Sequence, residues 1–400
     1  MIDRQNRRTI LKGATALASW AAMPAVVRAQ SEPLRLGVLT PLTGAGGADG
    51  PRMLKAMQAV ANEVNAAGGV LGRKIELVVE DDQTNPEAAV RAARKLIEVN
   101  KVPVIMGTWA SAVTSAVAPV CWESKTFLTT CSGADPITHL PHQGYLIRTQ
   151  PNSQLQGKAH AEFIASMGMK RVFVMAIQAP FAIPTRNRLE EVLKKNGSEL
   201  VGALIYEKEK TTYRSEVDEA LRAKPDLIYL NGYAPDTIVT LRDIYRAGFS
   251  GPRFAQSYAV PAKTLDTLPP EVTENVYTGQ PSANVGSAPF ELAAKRLGVA
   301  EPDTYECQAT DWISIVTLTI AKAKEATGTA LRDNVRKVTQ GSGQKVSSAV
   351  EGLKLLAEGK DVNYEGASGP CDFTEIGDIL DCRFRYVKVE GGKFKFVKIT

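Results

Sequence analysis

Two loops of small residues between positions 104 and 136 are the part of the chain best suited to chemistry. The first loop follows a strand predicted at 104–106 and leads into a helix that opens near Ser111. The second loop follows a strand predicted at 126–130. Because successive strands of a parallel sheet point the same way, both loops leave the same sheet edge. Free amides and the positive end of a helix dipole there would suit an anionic or strongly polar ligand group.

Ser111 has two alternative roles at this edge. Its hydroxyl would donate a hydrogen bond to a ligand, or it would accept one from a first-turn amide as the N-cap of the helix. The residue types alone leave both roles open. Ser111 is therefore a candidate ligand contact.

The elements that must position these loops alternate regularly from Leu34 onward. A first series has strands at 34–40, 74–82, 104–106 and 126–130, with helices at 51–67 and 86–99 and a further helix near Ser111. A second series has helices at 153–167, 184–195, 213–223 and 235–247, with strands at 171–177, 199–206, 226–230 and 252–256. This alternation predicts an α/β protein with two parallel sheets, each covered by helices on both faces.

The last third of the chain is mainly helical. After a strand at 275–282, helices are predicted at 289–297, 305–327, 331–339 and 346–358, followed by a loop and a terminal hairpin. Because these helices have few strands of their own, we expect them to return and cover the first sheet, so that the chain forms two lobes, one around each sheet. The segments that cross between the lobes would then form a hinge.

The N-terminal segment predicts export. Arg7 and Arg8, followed by Thr-Ile-Leu-Lys, resemble a twin-arginine signal, and an uncharged stretch at 13–27 ends near the small residue Ala29. Residues 1–29 are therefore interpreted as a twin-arginine signal peptide, too short and too weakly apolar to span a bilayer. We expect the mature protein to act in a bacterial periplasm.

Composition argues against several partners. The whole chain of 400 residues carries a formal net charge of +5, but most of that excess lies in the signal segment. No basic patch with interleaved aromatic residues is present, so nucleic acid is not an expected partner. His139 and His142 are the only close histidine pair and lack a third ligand nearby, so we expect no metal site.

The five cysteines leave at least one thiol unpaired. Cys371 and Cys382 lie symmetrically about a turn predicted at 374–378, which would place them opposite each other on a hairpin, so we predict a disulfide between them. Cys121 lies roughly 15 Å down a helix that starts at the sheet edge where Cys131 ends its strand. A disulfide needs Cα atoms within about 7 Å, so these two are not expected to pair.

Six segments, in this order and spacing, resemble the branched-chain amino-acid-binding (Leu/Ile/Val-binding) family of type I periplasmic solute-binding proteins: LGVLTPLTG, NAAGGVLGRKIELVVEDDQTNPEAAVRAARKLI, VIMGTWAS, YLIRTQPNSQLQG, DLIYLNGYAPD and YEGASGPCDF. The resemblance covers essentially the whole mature chain. It implies two Rossmann-like lobes with parallel sheets, joined by a three-segment hinge, that close on a small molecule. Residues 33–149 and 280–383 would form lobe I, and residues 150–279 and 384–400 lobe II. The family delivers ligands to ABC-transporter permease subunits, without catalysis or a cofactor, and we expect a monomer.

The resemblance also implies a set of ligand contacts in lobe I. Ser111 matches the serine that holds the ligand carboxylate or an equivalent polar group, with Trp109 and Ala110 lining the wall. The next loop would contribute the three consecutive residues Ser132, Gly133 and Ala134, of which Ala134 replaces a threonine common in amino-acid binders.

In lobe II, Phe181 matches an aromatic lid position and Tyr233 a wall position. Tyr305, from the part of lobe I at 280–383, is also expected near the cleft. The largest departure is Tyr258, which stands where amino-acid binders commonly place an acid for the ligand ammonium. Burying an ammonium without a partner costs several kcal/mol. We therefore predict a small carboxylate with an aromatic or branched apolar body as the ligand.

Three alternatives remain open. An amino acid would bind if Asp49 or Asp236 served as its counter-ion. An exported nucleotide-dependent oxidoreductase would explain Gly44, Gly46 and Gly50, but their spacing is one residue longer than the dinucleotide fingerprint. A ligand sensor of the same fold would present its closed form to a membrane receptor instead of a permease. No G-x-S-x-G nucleophile elbow occurs, and we do not expect an enzyme.

Overall fold

The computed structural model describes residues 32–283 and 285–400. The predicted signal peptide lies outside these residues. Residues 33–400 pack as one unit. Within the described ranges, no helix combines the length and the apolar character needed to cross a lipid bilayer.

The first sheet has five parallel strands in the order β2-β1-β3-β4-β5. Its strands are β1 Leu34–Thr40, β2 Ile75–Asp81, β3 Val104–Gly107, β4 Phe127–Thr130 and β5 Leu146–Arg148. The strands β3, β4 and β5 are buried along their whole length. Continuous burial is expected for parallel strands that have helices on both faces, and it extends to the two threonines of β4 and to Arg148 of β5.

The second sheet has seven strands in the order β14-β13-β10-β9-β8-β6-β7. The remaining strands of the chain are β6 Arg171–Ile177, β7 Glu199–Tyr206, β8 Leu227–Asn231, β9 Arg253–Gln256, β10 Val276–Pro281, β11 Gln344–Val346, β12 Val362–Tyr364, β13 Phe384–Glu390 and β14 Lys393–Ile399. The strands β6 to β10 are parallel, and the terminal hairpin β13–β14 joins β10 in antiparallel fashion. The strands β11 and β12 form a separate small parallel sheet, which the sequence analysis did not predict.

Helices fill the connections. They are α1 Gly50–Ala66, α2 Pro86–Arg94, α3 Ser111–Glu123, α4 Pro136–His139, α5 Ser153–Ser166, α6 Ala182–Lys195, α7 Arg214–Arg222, α8 Ala234–Arg246, α9 Ala262–Thr267, α10 Pro270–Thr273, α11 Ala288–Leu297, α12 Thr304–Ala323, α13 Gly328–Thr339 and α14 Ala349–Ala357. A π-helical turn, Lys95–Val99, extends α2. Local sequence sets several starts: the Asp303 side chain accepts from the amides of Tyr305 and Glu306 at the beginning of α12, and Glu306 completes a capping box.

The late helices cover the first sheet, as expected. The helix α12 is buried over most of its length and packs against α1, α13, α14 and β3. The chain therefore passes between the two sheets three times: after β5, after β10 and before β13. This α/β architecture is the one that the resemblance implied.

The disulfide predicted between Cys371 and Cys382 is wrong, because both residues are free thiols. In the turn that separates them, Phe373 pairs with Ile379. This register places Cys371 opposite Asp381, one residue short of Cys382. Because adjacent residues of an extended chain face opposite sides, a shift of one residue turns the second thiol away from the first.

Candidate functional site

The first loop makes a tight turn directly after β3. Gly107 has φ of 125° and Thr108 has φ of 59°. A Cβ atom on Gly107 would lie 2.2 Å from the carbonyl oxygen of Leu39, and the Thr108 amide donates to that oxygen at 2.9 Å. This turn brings Trp109 and Ala110 to the carboxyl edge of the first sheet, where α3 begins.

Ser111 is the first residue of α3 and does not cap it. The cap position is Ala110, which offers no side-chain hydrogen bond. The Ser111 Oγ instead accepts from the backbone amide of Ala134 at 3.2 Å. The hydroxyl therefore links the two loops that the sequence analysis placed side by side, and it lines the cavity between the sheets.

The second loop contributes less of its polar surface than expected. The Ser132 Oγ donates to the carbonyl oxygen of Trp109 at 3.0 Å and is also hydrogen-bonded to Thr114. Gly133 lines the cavity, whereas Ser132, Ala134 and Ala110 are buried outside its lining. These three residues shape the backbone of the two loops, and the structure does not place their side chains on the cavity wall.

Five aromatic rings meet between the two sheets. Trp109 of the first sheet lies 5.3 Å from Tyr233, 5.5 Å from Tyr258 and 6.1 Å from Tyr305, measured between ring centroids. Phe181 lies 5.7 Å from Tyr233 and 6.2 Å from Tyr258. All five line a cavity of about 30 Å³. The structure thus brings together the aromatic residues that the sequence analysis expected on separate lobes.

Five of the residues that line this cavity were not predicted from the sequence, namely Cys131, Gln150, Ser153, Gln156 and Gln256. Three of these five lie in the segment YLIRTQPNSQLQG, directly after β5. Polar residues that follow a strand of the same parallel sheet were the available signal, because they leave the edge where the other two loops lie.

The residues that line the cavity are all uncharged at neutral pH. Burial raises the pKa of Tyr233, Tyr258 and Tyr305, which keeps their hydroxyls protonated. The Gln150 Oε1 accepts from the Gln308 Nε2 at 2.7 Å. This contact leaves the amide nitrogen of Gln150 as a donor for the cavity, so the wall offers neutral donors beside aromatic faces.

Neither aspartate proposed as a counter-ion lines this cavity. The Asp236 Oδ1 accepts from the Tyr213 hydroxyl and from the Glu209 backbone amide, both at 2.6 Å, so this oxygen is already engaged within the second sheet's side of the molecule. Asp49 lies in a neighbouring cavity of about 290 Å³ that shares Tyr258 and Tyr305 with the first.

Asp49 is held in an ion cluster. Its Oδ1 lies 2.6 Å from the Nη2 of Arg52. The Nη1 of the same guanidinium contacts Asp303. Burial and the nearby Asp303 carboxylate raise the pKa of Asp49 to about 7, against the opposing effect of Arg52. Among the described residues, no group of three or more histidine, cysteine or acidic side chains is arranged to hold a metal ion.

The chain matches known proteins over most of its length. The family model described as "Periplasmic binding protein" matches residues 33–393. The chain is similar to the Leu/Ile/Val-binding protein BraC3 of Rhizobium johnstonii, with 23% identity over 374 residues that cover 90% of this chain and 92% of the relative. This relative is a binding protein rather than an enzyme.

Two solved structures have the same fold. The branched-chain amino acid transporter substrate-binding protein LivJ from Streptococcus pneumoniae, in complex with isoleucine, matches with a TM-score of 0.79 and 19% identity over 92% of this chain and 99% of that one. An ABC-transporter solute-binding protein from R. palustris, in complex with benzoate, matches with a TM-score of 0.75 and 18% identity over 92% and 96%.

Proposed function

The chain belongs to the periplasmic binding protein family, and from this premise we propose that it captures a small carboxylate with an aromatic or branched apolar body. Residues 33–149 with 280–383 would form one lobe and residues 150–279 with 384–400 the other, and the two would close on the ligand. The protein would be exported by its twin-arginine segment and would deliver the ligand, as a monomer, to the permease subunits of an ABC transporter.

The observation that carries this ligand class is an aromatic wall without a carboxylate. Tyr258 occupies the position expected for an acid, and no charged residue lines the cavity. A buried ammonium would therefore lack a partner, at a cost of several kcal/mol. A carboxylate has partners. Ser111 offers a hydroxyl, and the first-turn amides of α3 have no partner within the helix, because its first backbone hydrogen bond runs from the Thr114 amide to the Ala110 carbonyl.

Ligand entry requires the aromatic rings to separate. The cavity measures about 30 Å³, whereas small-molecule sites commonly measure ~300–1,000 Å³. Trp109 approaches from the first sheet, and Phe181, Tyr233 and Tyr258 approach from the second. A hinge motion between the lobes would part these rings and restore room for a flat ligand between them.

A thermal-shift screen tests the ligand class. The protein without its signal segment is compared against L-amino acids and against aromatic or branched carboxylates such as benzoate. A ligand at about 100 times its dissociation constant stabilises the protein by roughly 2.7 kcal/mol. Stabilisation confined to the carboxylates is the expected result. Stabilisation by amino acids alone would overturn the ligand class, and no stabilisation by either panel would overturn the proposed ligand altogether.

Substitution of Ser111 tests the contact itself. We expect Ser111→Ala to weaken carboxylate binding by about 1 to 3 kcal/mol, because a hydrogen bond to a charged group is lost. Ser115→Ala is the matched control, since it lies one turn along α3, outside the cavity lining. Isothermal titration of both variants measures the difference. Equal affinity of Ser111→Ala and wild type would show that this hydroxyl serves only the loop contact with Ala134.

An amino acid remains a second candidate because Asp49 lies behind Tyr258 and Tyr305, in the adjoining cavity. A rotation of either ring would connect the two cavities and bring this carboxylate to a ligand ammonium. Asp236 is disfavoured because it lies outside the lining of this cavity and its Oδ1 already accepts two hydrogen bonds. Loss of L-isoleucine binding in Asp49→Asn, with retention in Asp236→Asn, would support this alternative.

A further inference from the structure

Arg148, the last residue of β5, is fully buried and donates to the second loop, here called the Ser132 loop (residues 131–135). Its Nη1 donates to the carbonyl oxygens of Ser132 at 3.2 Å and Ala134 at 2.6 Å. Its Nη2 donates to the Thr138 hydroxyl at 3.1 Å, and its Nε to the Asp378 Oδ1 at 2.8 Å. One planar guanidinium thus fixes two carbonyls of the loop that faces the ligand cavity.

The remaining carbonyl in the middle of the Ser132 loop is held from the other side. The Gly133 oxygen accepts from the Ser153 amide at 2.7 Å and from the Ser153 hydroxyl at 2.8 Å. Ser153 is the first residue of α5, which packs against α6 of the second sheet. The loop is therefore anchored both to Arg148 and to the helix that follows the first crossing segment (residues 149–152).

Asp378 connects the same guanidinium to the crossing segment. Its second oxygen lies 3.5 Å from the Asn152 Nδ2, and the Asn152 side chain caps α5 by accepting from the Leu155 amide at 2.9 Å. Asp378 itself is brought close by Gly377, whose carbonyl accepts from the Arg148 amide at 2.8 Å. The C-terminal third of the chain thus supplies the partner that orients Arg148.

A buried ion pair is not by itself evidence of stabilisation. Removing two charges from water costs about as much as their attraction returns, and apolar pairs of similar volume often replace such pairs without loss. An apolar pair, however, cannot bind the two carbonyls of the Ser132 loop or the amide of Asn152. The contacts that only this pair makes are directed at the ligand loop and at the crossing segment.

We propose that Arg148 and Asp378 are a positioning pair that holds the Ser132 loop and the first crossing segment in one arrangement, and that this arrangement sets the affinity for the ligand. The inference rests on the proposed function, because it concerns how that ligand site is held. Neither residue lines the cavity, so the pair acts through Gly133, Ser153 and the backbone between them.

Two variants separate positioning from charge balance. Arg148→Lys keeps a cation beside Asp378 but removes the fork that reaches both carbonyls. Arg148→Met with Asp378→Leu removes both charges and leaves no buried ion unpaired. Thr138→Val is the control, because it deletes one bond of Arg148 and leaves its contacts with the Ser132 loop and Asp378 intact.

The first readout is hydrogen exchange measured without ligand. In folded Arg148→Lys and in the double variant, we expect amides at 131–135 and 149–155 to exchange about tenfold faster, with strands β6 and β8 unchanged. Thr138→Val should match wild type. Wild-type protection of both segments in either folded variant would overturn the proposal, whether or not a ligand has been found.

The second readout is affinity for benzoate and L-isoleucine, the two probes, by isothermal titration. For whichever probe wild type binds, both variants should bind about tenfold more weakly, while Thr138→Val binds normally. Recovery of wild-type affinity in the double variant would show that the pair only balances charge and would overturn positioning. If wild type binds neither probe, the thermal-shift screen of both panels decides the proposed function, and the exchange measurement still decides the role of the pair.

Discussion

Asp81 and Asp82 are adjacent carboxylates at the end of β2 whose pKa values are shifted in opposite directions. Burial raises the pKa of Asp82 to about 7, opposed by a hydrogen bond from the Thr84 amide and assisted by the charge of Asp81. Burial acts in the same direction on Asp81, but hydrogen bonds from the Thr43 hydroxyl and from neighbouring amides hold its pKa below the usual range. Replacing each by asparagine should therefore have opposite effects on stability.

The sign for Asp82 follows from proton binding. An aspartate in the unfolded chain has a pKa of about 3.9, so between pH 4 and 7 the folded protein binds a proton that the unfolded chain releases. Stability therefore falls as pH rises through this window, and the loss is complete above about pH 7. At about 1.4 kcal/mol per pKa unit, roughly two units between pH 5 and 7 correspond to about 2 to 3 kcal/mol.

Asp82→Asn should remove this loss. We expect its gain in the free energy of unfolding to be about 2 to 3 kcal/mol larger at pH 8 than at pH 5, measured by urea denaturation followed by tryptophan fluorescence. Asp81→Asn is the control and should destabilise the protein at both pH values, because the lowered pKa of Asp81 favours the folded state above its unfolded pKa. An equal effect of Asp82→Asn at pH 5 and pH 8 would refute the reasoning.

Two further substitutions test the site and the segment behind it. Trp109→Ala should weaken binding of an aromatic carboxylate by about 2 kcal/mol in isothermal titration, because ring contacts of roughly 0.5 to 1.5 kcal/mol each are lost. Trp109→Phe keeps a ring and should lose less than half of that binding energy. Equal losses in the two variants would show that the ring itself does not contribute. Gly377→Ala should lower the free energy of unfolding by roughly 3 kcal/mol, because φ is 87° and the new Cβ would lie 2.3 Å from a carbonyl oxygen. Gly359→Ala, with φ of 77° but nothing within 4 Å, should cost about 1 kcal/mol; equal shifts in melting temperature would contradict the role of the close approach.

The alternation of apolar strands and amphipathic helices was predictable because parallel strands need burial on both faces. The strands β3 and β4 are short, but every residue in them is buried, and each begins with apolar residues that predict a strand from the sequence. The small sheet β11–β12 was missed because three-residue strands carry too little pattern to separate them from a loop. Local periodicity therefore predicts the scaffold better than its short additions.

The predicted disulfide is wrong because the symmetry of the sequence about the turn does not determine the register of the two segments. Cys371 and Cys382 flank the turn almost evenly, but the pairing of Phe373 with Ile379 sets the register one residue away from facing thiols. A one-residue shift changes nothing in the composition of the segment and reverses the direction of every side chain.

The orientation of polar side chains in and near the cavity likewise depends on tertiary contacts. Asp236 is disfavoured as a counter-ion because it lies outside the cavity lining and its Oδ1 is held by the hydroxyl of Tyr213, the residue before α7. The Gln150 oxygen accepts from Gln308 of α12, which leaves its nitrogen as the group available to a ligand. The aromatic residues of the cavity were predictable from the sequence because large side chains are positioned by packing. Small polar groups are oriented by hydrogen-bond partners far along the chain.

The aromatic cluster also bears on how the protein would select its ligand. Trp109 contacts Tyr233 and Tyr258 across the two sheets, so the proposed hinge closure would gain ring contacts even without a ligand. A ligand shifts the population only by what it adds to the closed form beyond those contacts. A flat aromatic body bound between the rings would replace these contacts on both of its faces, whereas a branched aliphatic body would offer no ring to either side. For this reason we expect aromatic carboxylates to bind more tightly than branched ones of equal size.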